Sequence, residues 1–329
     1  MNIPGFYSAI PGLYIAQSFF HSLTTALIVD AAIRVWKIED PAARQRFRLL
    51  IIFFPVVSFP LYQSINPERG SLVFRLDALF DSWRWMNLEL MPGVHAGVLF
   101  LALFVMTTLL FFIQELVPVV KHSLSSRKSE SQGRKPPPDS AVCRALAGLP
   151  GLKPDIFLIN DDDLLLFVTT GKRPALYISS GSVNTLTEDE LQTAIAHELA
   201  HVERNKSPLL IATFILRVVQ FFNIVSLIEF RRIVQEEEVI CDDAAVTLTG
   251  KPDALAGTLR KFHPTENGEQ DAADEGLNTR DRIEQYGHSL LIDNRITRLE
   301  TWGAENRSKA YLPLAVTAAA VVVLNYFIV

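Results

Sequence analysis

The sequence predicts a mostly helical membrane protein that carries one small α+β domain. Three observations lead to that class. Of the 329 residues, 49% are hydrophobic, and the mean hydropathy is +0.21, apolar for a water-soluble chain of this length. Apolar runs near the ~20 residues that a bilayer core requires occur toward both ends of the chain. Between them, short strand-like segments precede an amphipathic helix, the pattern of a folded polar domain. The net charge of -5 gives no basic surface for nucleic acid. The two cysteines, Cys143 and Cys241, are no disulfide framework and fit a reducing compartment.

The elements follow in order. Residues 12–33 form a first span, with His21 and Asp30 as polar positions inside it and Tyr7, Tyr14 and Trp36 suited to the interfaces. A basic loop with Arg34, Lys37, Arg44, Arg46 and Arg48 comes next. Residues 49–65 form a second span, which Pro55 and Pro60 should kink. Val73, Leu76, Phe80 and Trp83 mark one face of a short helix lying in the interface. Residues 92–120 are the third and longest apolar run, followed by Lys121, Arg127, Lys128, Arg134 and Lys135. The positive-inside rule then puts both basic segments in the cytoplasm and the amino terminus outside. No basic n-region or cleavage site marks a signal peptide.

Four regions result: a three-span membrane region (1–120), a Ser/Lys/Pro-rich linker (121–139), a compact domain (140–306) and a last span (307–329) that exits outside. About four transmembrane helices are therefore expected. In the compact domain, residues 155–160, 164–170 and 174–180 read as strands and 251–262 as a helix, with an acidic loop at 265–279. The apolar stretch 208–230 is too short for two crossings, and Thr213, Arg217 and Gln220 stripe it at helical spacing. It is expected within the domain, or lying on or dipping into the membrane.

The chain is organised around His197-Glu198-Leu199-Ala200-His201. Thr187 and Glu190 form a capping box ahead of it, and Ala194, Ile195, Leu199 and Val202 are apolar at helical spacing. On one helix His197 and His201 are i,i+4 neighbours, so both imidazoles leave the same face and can grip one Zn²⁺. Glu198, one step round, can reach a water at the open position of that ion and act as general base. A catalytic zinc keeps three protein ligands. Glu238 is the expected third, with Glu237 as the fallback. Asp242, four residues on, can accept a hydrogen bond from a ligand histidine. Cys241 reads as a buried structural thiol, since a fourth ligand would close the site. Ala245 is small enough to let two helices approach closely.

The run from Arg173 to Asn205, with P-A-L-Y-I-S-S-G, L-T-E-D-E-L and H-E-L-A-H-V-E-R-N, resembles the integral-membrane gluzincin peptidases, as does the E-x-x-x-D-x-x-A spacing of Glu238, Asp242 and Ala245. The arrangement of spans most resembles the BlaR/MecR-type antirepressor peptidases, with the HtpX-type and CAAX prenyl endopeptidases as cousins. The resemblance implies a gluzincin fold, one zinc per chain on His197, His201 and Glu238, and Glu198 as general base. It implies a role beside the metal for Arg295, in the Arg295-Ile296-Thr297-Arg298-Leu299 element, and for His288, with His263 as competitor. It also implies a protein or peptide substrate and a bacterial inner membrane. Two departures stand out. Lys206 replaces an acidic residue common in relatives, and, with the sequence stopping at Val329, sensing of β-lactams by an extracellular penicillin-binding domain is not expected to carry over.

The expectation is therefore a membrane-embedded zinc metalloendopeptidase that cleaves at the cytoplasmic face in regulated proteolysis or signalling, in contact with the bilayer. The strand at 174–180 is expected to take substrate as an added strand. Assembly into a homo-oligomer is left open. Two rivals are a transducer with a non-catalytic zinc site and a protease of membrane-embedded or lipidated peptides. The second would require His21 and Asp30 to face a cavity.

Overall fold

The computed structural model describes residues 10–117, 133–169, 174–204, 208–263, 291–303 and 310–329. Contacts divide the chain into two compact units: Met1–Arg127, Pro208–Glu237 and Asn306–Val329 in one, Lys128–Ser207 and Glu238–Glu305 in the other. His288, the loop expected at 265–279 and Lys206 lie outside the described residues.

The first unit is helical. Ile10–Val35, Pro41–Ile65 and Ala96–Gln114 are long and apolar enough to cross a membrane. The last apolar helix, Tyr311–Tyr326, is shorter, with 16 residues. The second helix begins eight residues before the apolar run, because Asp40 caps it through Ala43 N–H and Pro41 opens its first turn. A hairpin of β1 (Glu89–Met91) and β2 (Val94–His95) precedes the third helix. The segment expected to be one interfacial helix is two short ones, Leu72–Asp77 and Ser82–Met86, each started by a side-chain cap, Ser71 or Asp81.

Buried polar groups tie these helices together, since an unsatisfied polar group in an apolar setting costs several kcal/mol. His21 is fully buried, its Nδ1 2.6 Å from Ser58 Oγ and its Nε2 3.1 Å from Ile328 O. Asn325 donates to Thr25, and Arg69 donates to the carbonyls of Asn325, Tyr326 and Ile328 at the carboxyl end of the last helix. Asp30 pairs with Arg48 and Arg232, which also grip the buried Glu229. Arg44 holds Glu236, and Gln45 donates to Glu237.

The apolar stretch at 208–230 is not one helix. Pro208–Val219 ends at a turn, and Ile224–Thr249 begins a second, unbroken helix. Twelve residues reach ~18 Å, short of the ~30 Å of a bilayer core. This stretch is expected within the domain, or lying on or dipping into the membrane; contacts group Pro208–Glu237 with the apolar helices. Its polar stripe accounts for the grouping. Gln220 donates to Ile52 O, Asn223 to Ser22, and the buried Arg217 lies over the Phe111 ring while donating to Gln220 O.

The second unit holds a three-stranded sheet in the order β3 (Asp155–Ile159), β5 (Ala175–Ser179), β4 (Leu166–Thr169). β5 is parallel to β3 and antiparallel to β4. Every residue of β5 is buried, as a central strand covered on both faces must be. Leu176 and Ile178 pack in one core with Leu191 and Ile195 of the helix Glu188–Arg204, with Ala245 and with Ala256 of Pro252–Phe262. A last helix, residues 291–300, closes that core with Ile292, Ile296 and Leu299.

Candidate metal centre

The helix Glu188–Arg204 carries the histidine motif, and its start is fixed as the sequence implied. Thr187 N–H donates to Glu190 Oε2 at 2.8 Å, and Glu190 N–H donates to Thr187 Oγ1 at 3.3 Å. Lys261 on Pro252–Phe262 adds a 2.6 Å ion pair to the same Glu190 oxygen. Gly257 makes room for this packing, because a Cβ there would stand 2.8 Å from Glu190 Oε1.

The two Nε2 atoms of His197 and His201 face each other at 3.1 Å. Glu238 approaches from Ile224–Thr249, its oxygens 3.6 Å from His197 Nε2 and 3.4 Å from His201 Nε2. Donors on a tetrahedron with bonds of 2.0–2.1 Å stand about 3.3 Å apart. The three separations bracket that edge, and two nitrogens with one carboxylate are a donor set that suits zinc. Among the described residues these three are the group whose ligand atoms could hold one metal ion. Glu237, the fallback, is instead directed to Gln45.

The surrounding charges orient these groups. Asp242, 1% exposed, places Oδ1 2.9 Å from His197 Nδ1. This is the approach of an ion pair, with the ring N–H not squarely aligned on the oxygen. Arg295 donates twice to Asp242, at 2.7 and 2.8 Å, and its Nη1 lies 3.2 Å from Glu238. Burial works against a charge on His197, but the adjacent carboxylates of Asp242 and Glu238 win, and its pKa is raised to about 9. Burial also opposes the charge on Glu238 and Asp242, yet His197 and Arg295 hold both carboxyls below the usual carboxylate range. Arg298, one turn on, pairs with Asp243.

Glu198 sits beside this cluster with its pKa raised, first by burial and further by the nearby Glu238 charge. His197 and a hydrogen bond from the Val168 backbone oppose that rise. A cleft of about 180 Å³ adjoins the cluster, lined by His197, Glu198, Glu238, Arg295, Leu259 and Phe262 among others. His263 lines it as well.

The structure corrects one expectation. The strand expected to receive substrate, β5, is hydrogen-bonded on both sides and has no free edge. The edge beside the motif helix is β4. Ser179 N–H donates to Leu165 O, so antiparallel alternation turns the backbone groups of Leu166 and Val168 away from β5. Val168 uses its N–H on Glu198. The sequence reading missed this contact, because alternation in residues 164–170 marks a strand but not which edge it occupies.

A family model described as BlaR1 peptidase M56 matches residues 89–259, more than half of the chain. The chain belongs to this BlaR1 peptidase M56 family. The match covers the whole described motif helix, all three candidate ligands and Asp242 of this M56 chain. A stretch of 58 residues, 17% of this chain, is 38% identical to a protein named Protease HtpX from Glaesserella parasuis serovar 5 (strain SH0165). The M56 chain spans only 20% of that relative's length. No solved structure matches at a significant level.

Proposed function

We propose that this M56-family chain is a membrane-embedded zinc metalloendopeptidase that hydrolyses peptide bonds of a protein substrate at the cytoplasmic face. The observation that carries the reading is the convergence of His197 Nε2, His201 Nε2 and Glu238 beside the half-buried Glu198. When bound there, zinc supplies Lewis-acid polarisation of the scissile carbonyl and lowers the pKa of water toward ~7. Glu198 takes the proton of the attacking water and passes it to the leaving amine; its raised pKa suits a base working near neutrality. Arg295 and Asp242 keep Glu238 and His197 oriented. The outer edge of β4 offers the backbone groups of Leu166 and the carbonyl of Val168 to an extended peptide.

The same reading divides the chain into the membrane region, linker, zinc domain and last span described above, with both termini outside. Glu198 argues against a purely structural zinc site, which needs no such base. The rival that cleaves within the spans gains little from His21, whose two ring nitrogens are taken by Ser58 and Ile328, or from Asp30, paired with Arg48 and Arg232.

Metal content tests the reading. The purified full chain should hold one zinc, and the His197→Ala/His201→Ala double variant should hold none. Stoichiometric zinc in the double variant would overturn the ligand assignment.

A further inference from the structure

Two successive residues of one helix stand behind the two imidazoles of the motif. Glu238, Cys241 and Asp242 are i, i+3 and i+4 on Ile224–Thr249 and share one face. Asp242 reaches His197 Nδ1, and Cys241 Sγ lies 3.4 Å from His201 Nδ1. Both Nε2 atoms point inward at each other, so on each neutral ligand imidazole the proton belongs on Nδ1. Cys241 is 0% exposed, so bulk water does not compete for that N–H from its side.

We propose that Cys241 is a positioning residue for His201, accepting its Nδ1–H hydrogen bond and so holding the tautomer that presents Nε2 to the metal. This rests on the zinc reading above. It gives the buried thiol a task beyond packing. Ala245, one turn further along the same helix, is equally buried and shows that packing alone is met by a methyl group. It also makes the two histidines unequal. His197 is backed by a carboxylate, whereas sulfur is a weak acceptor and lends His201 less electron density.

The test separates acceptor from packing. Cys241→Val and Cys241→Ala bracket the thiol in size and cannot accept a hydrogen bond, while Cys241→Ser keeps an acceptor. Zinc affinity of the full chain in detergent is measured by competition with a chromophoric chelator, beside thermal melting of the metal-free protein. Partners of this kind matter about ten- to hundred-fold in metal affinity. Cys241→Val should bind zinc about ten-fold more weakly with metal-free melting unchanged, and Cys241→Ser should stay within about three-fold of wild type. Cys241→Ala carries the same expectation as Val should the valine variant fail to fold. Affinity within three-fold of wild type for the Val or Ala variant, or a Ser variant as weak as Val, overturns the proposal. Wild-type protein that takes up no zinc would instead sink the metal reading beneath it. Wild-type zinc uptake with an unaffected Val variant removes only the role of Cys241.

Discussion

His197 carries a charge conflict in the second unit. It is half-buried, yet Asp242 and Glu238 raise its pKa to about 9 from an ordinary 6.5. In the metal-free protein this cation contributes stability that is full below pH ~6.5 and is lost as pH rises through about 9. Metal binding requires the neutral ring, so zinc must displace that proton. Apparent zinc affinity should therefore rise about ten-fold per pH unit from pH 7 toward 9 and then flatten. Chelator competition across that range checks it, and a flat profile would mean that His197 enters the reaction already neutral.

The elements matter through their ends and edges. The helix Glu188–Arg204 begins where Thr187 and Glu190 satisfy each other's backbone and side-chain groups. Replacing Thr187 by Ala removes one acceptor for an orphan N–H and should cost about 1 kcal/mol, read as lowered thermal stability of the full chain. An unchanged melting temperature would show that Lys261 alone pins Glu190. This cap and the i,i+4 histidines were legible in the sequence, because each depends on spacing within one helix, whereas Glu238 stood there with Glu237 as its fallback. What was not legible depends on placement across elements. Alternation located β4 and β5 but could not say that β5 is central, so the substrate edge was assigned to the wrong strand. Three consecutive glutamates look alike in sequence. The structure separates them by direction, Glu236 to Arg44, Glu237 to Gln45 and Glu238 to the histidines. The third apolar run also shortened, because residues 89–95 form a hairpin before the helix starts.

At the scale of the whole molecule, the account requires His201 and Glu238 to lie on one side of the membrane. Pro208–Val219 is too short to cross, and Arg217 is buried against Phe111 and Gln220 O rather than exposed to lipid. In a Cys143→Ser background, whose remaining Cys241 is buried, cysteines introduced at the exposed positions Lys135 and Thr247 should both react only with reagents that reach the cytoplasm. Labelling of the two positions from opposite sides would break the shared metal centre.

The central claim is that Glu198 performs proton transfer at a metal held by three other residues. Glu198→Gln separates these roles, because the amide keeps the size of the side chain and cannot take a proton. Purified wild type and variant are compared for zinc content and for cleavage of fluorescently labelled casein. The account predicts one zinc per chain in both proteins and loss of hydrolysis by at least ~100-fold in the variant. A zinc-loaded Glu198→Gln protein that cleaves at the wild-type rate would contradict it.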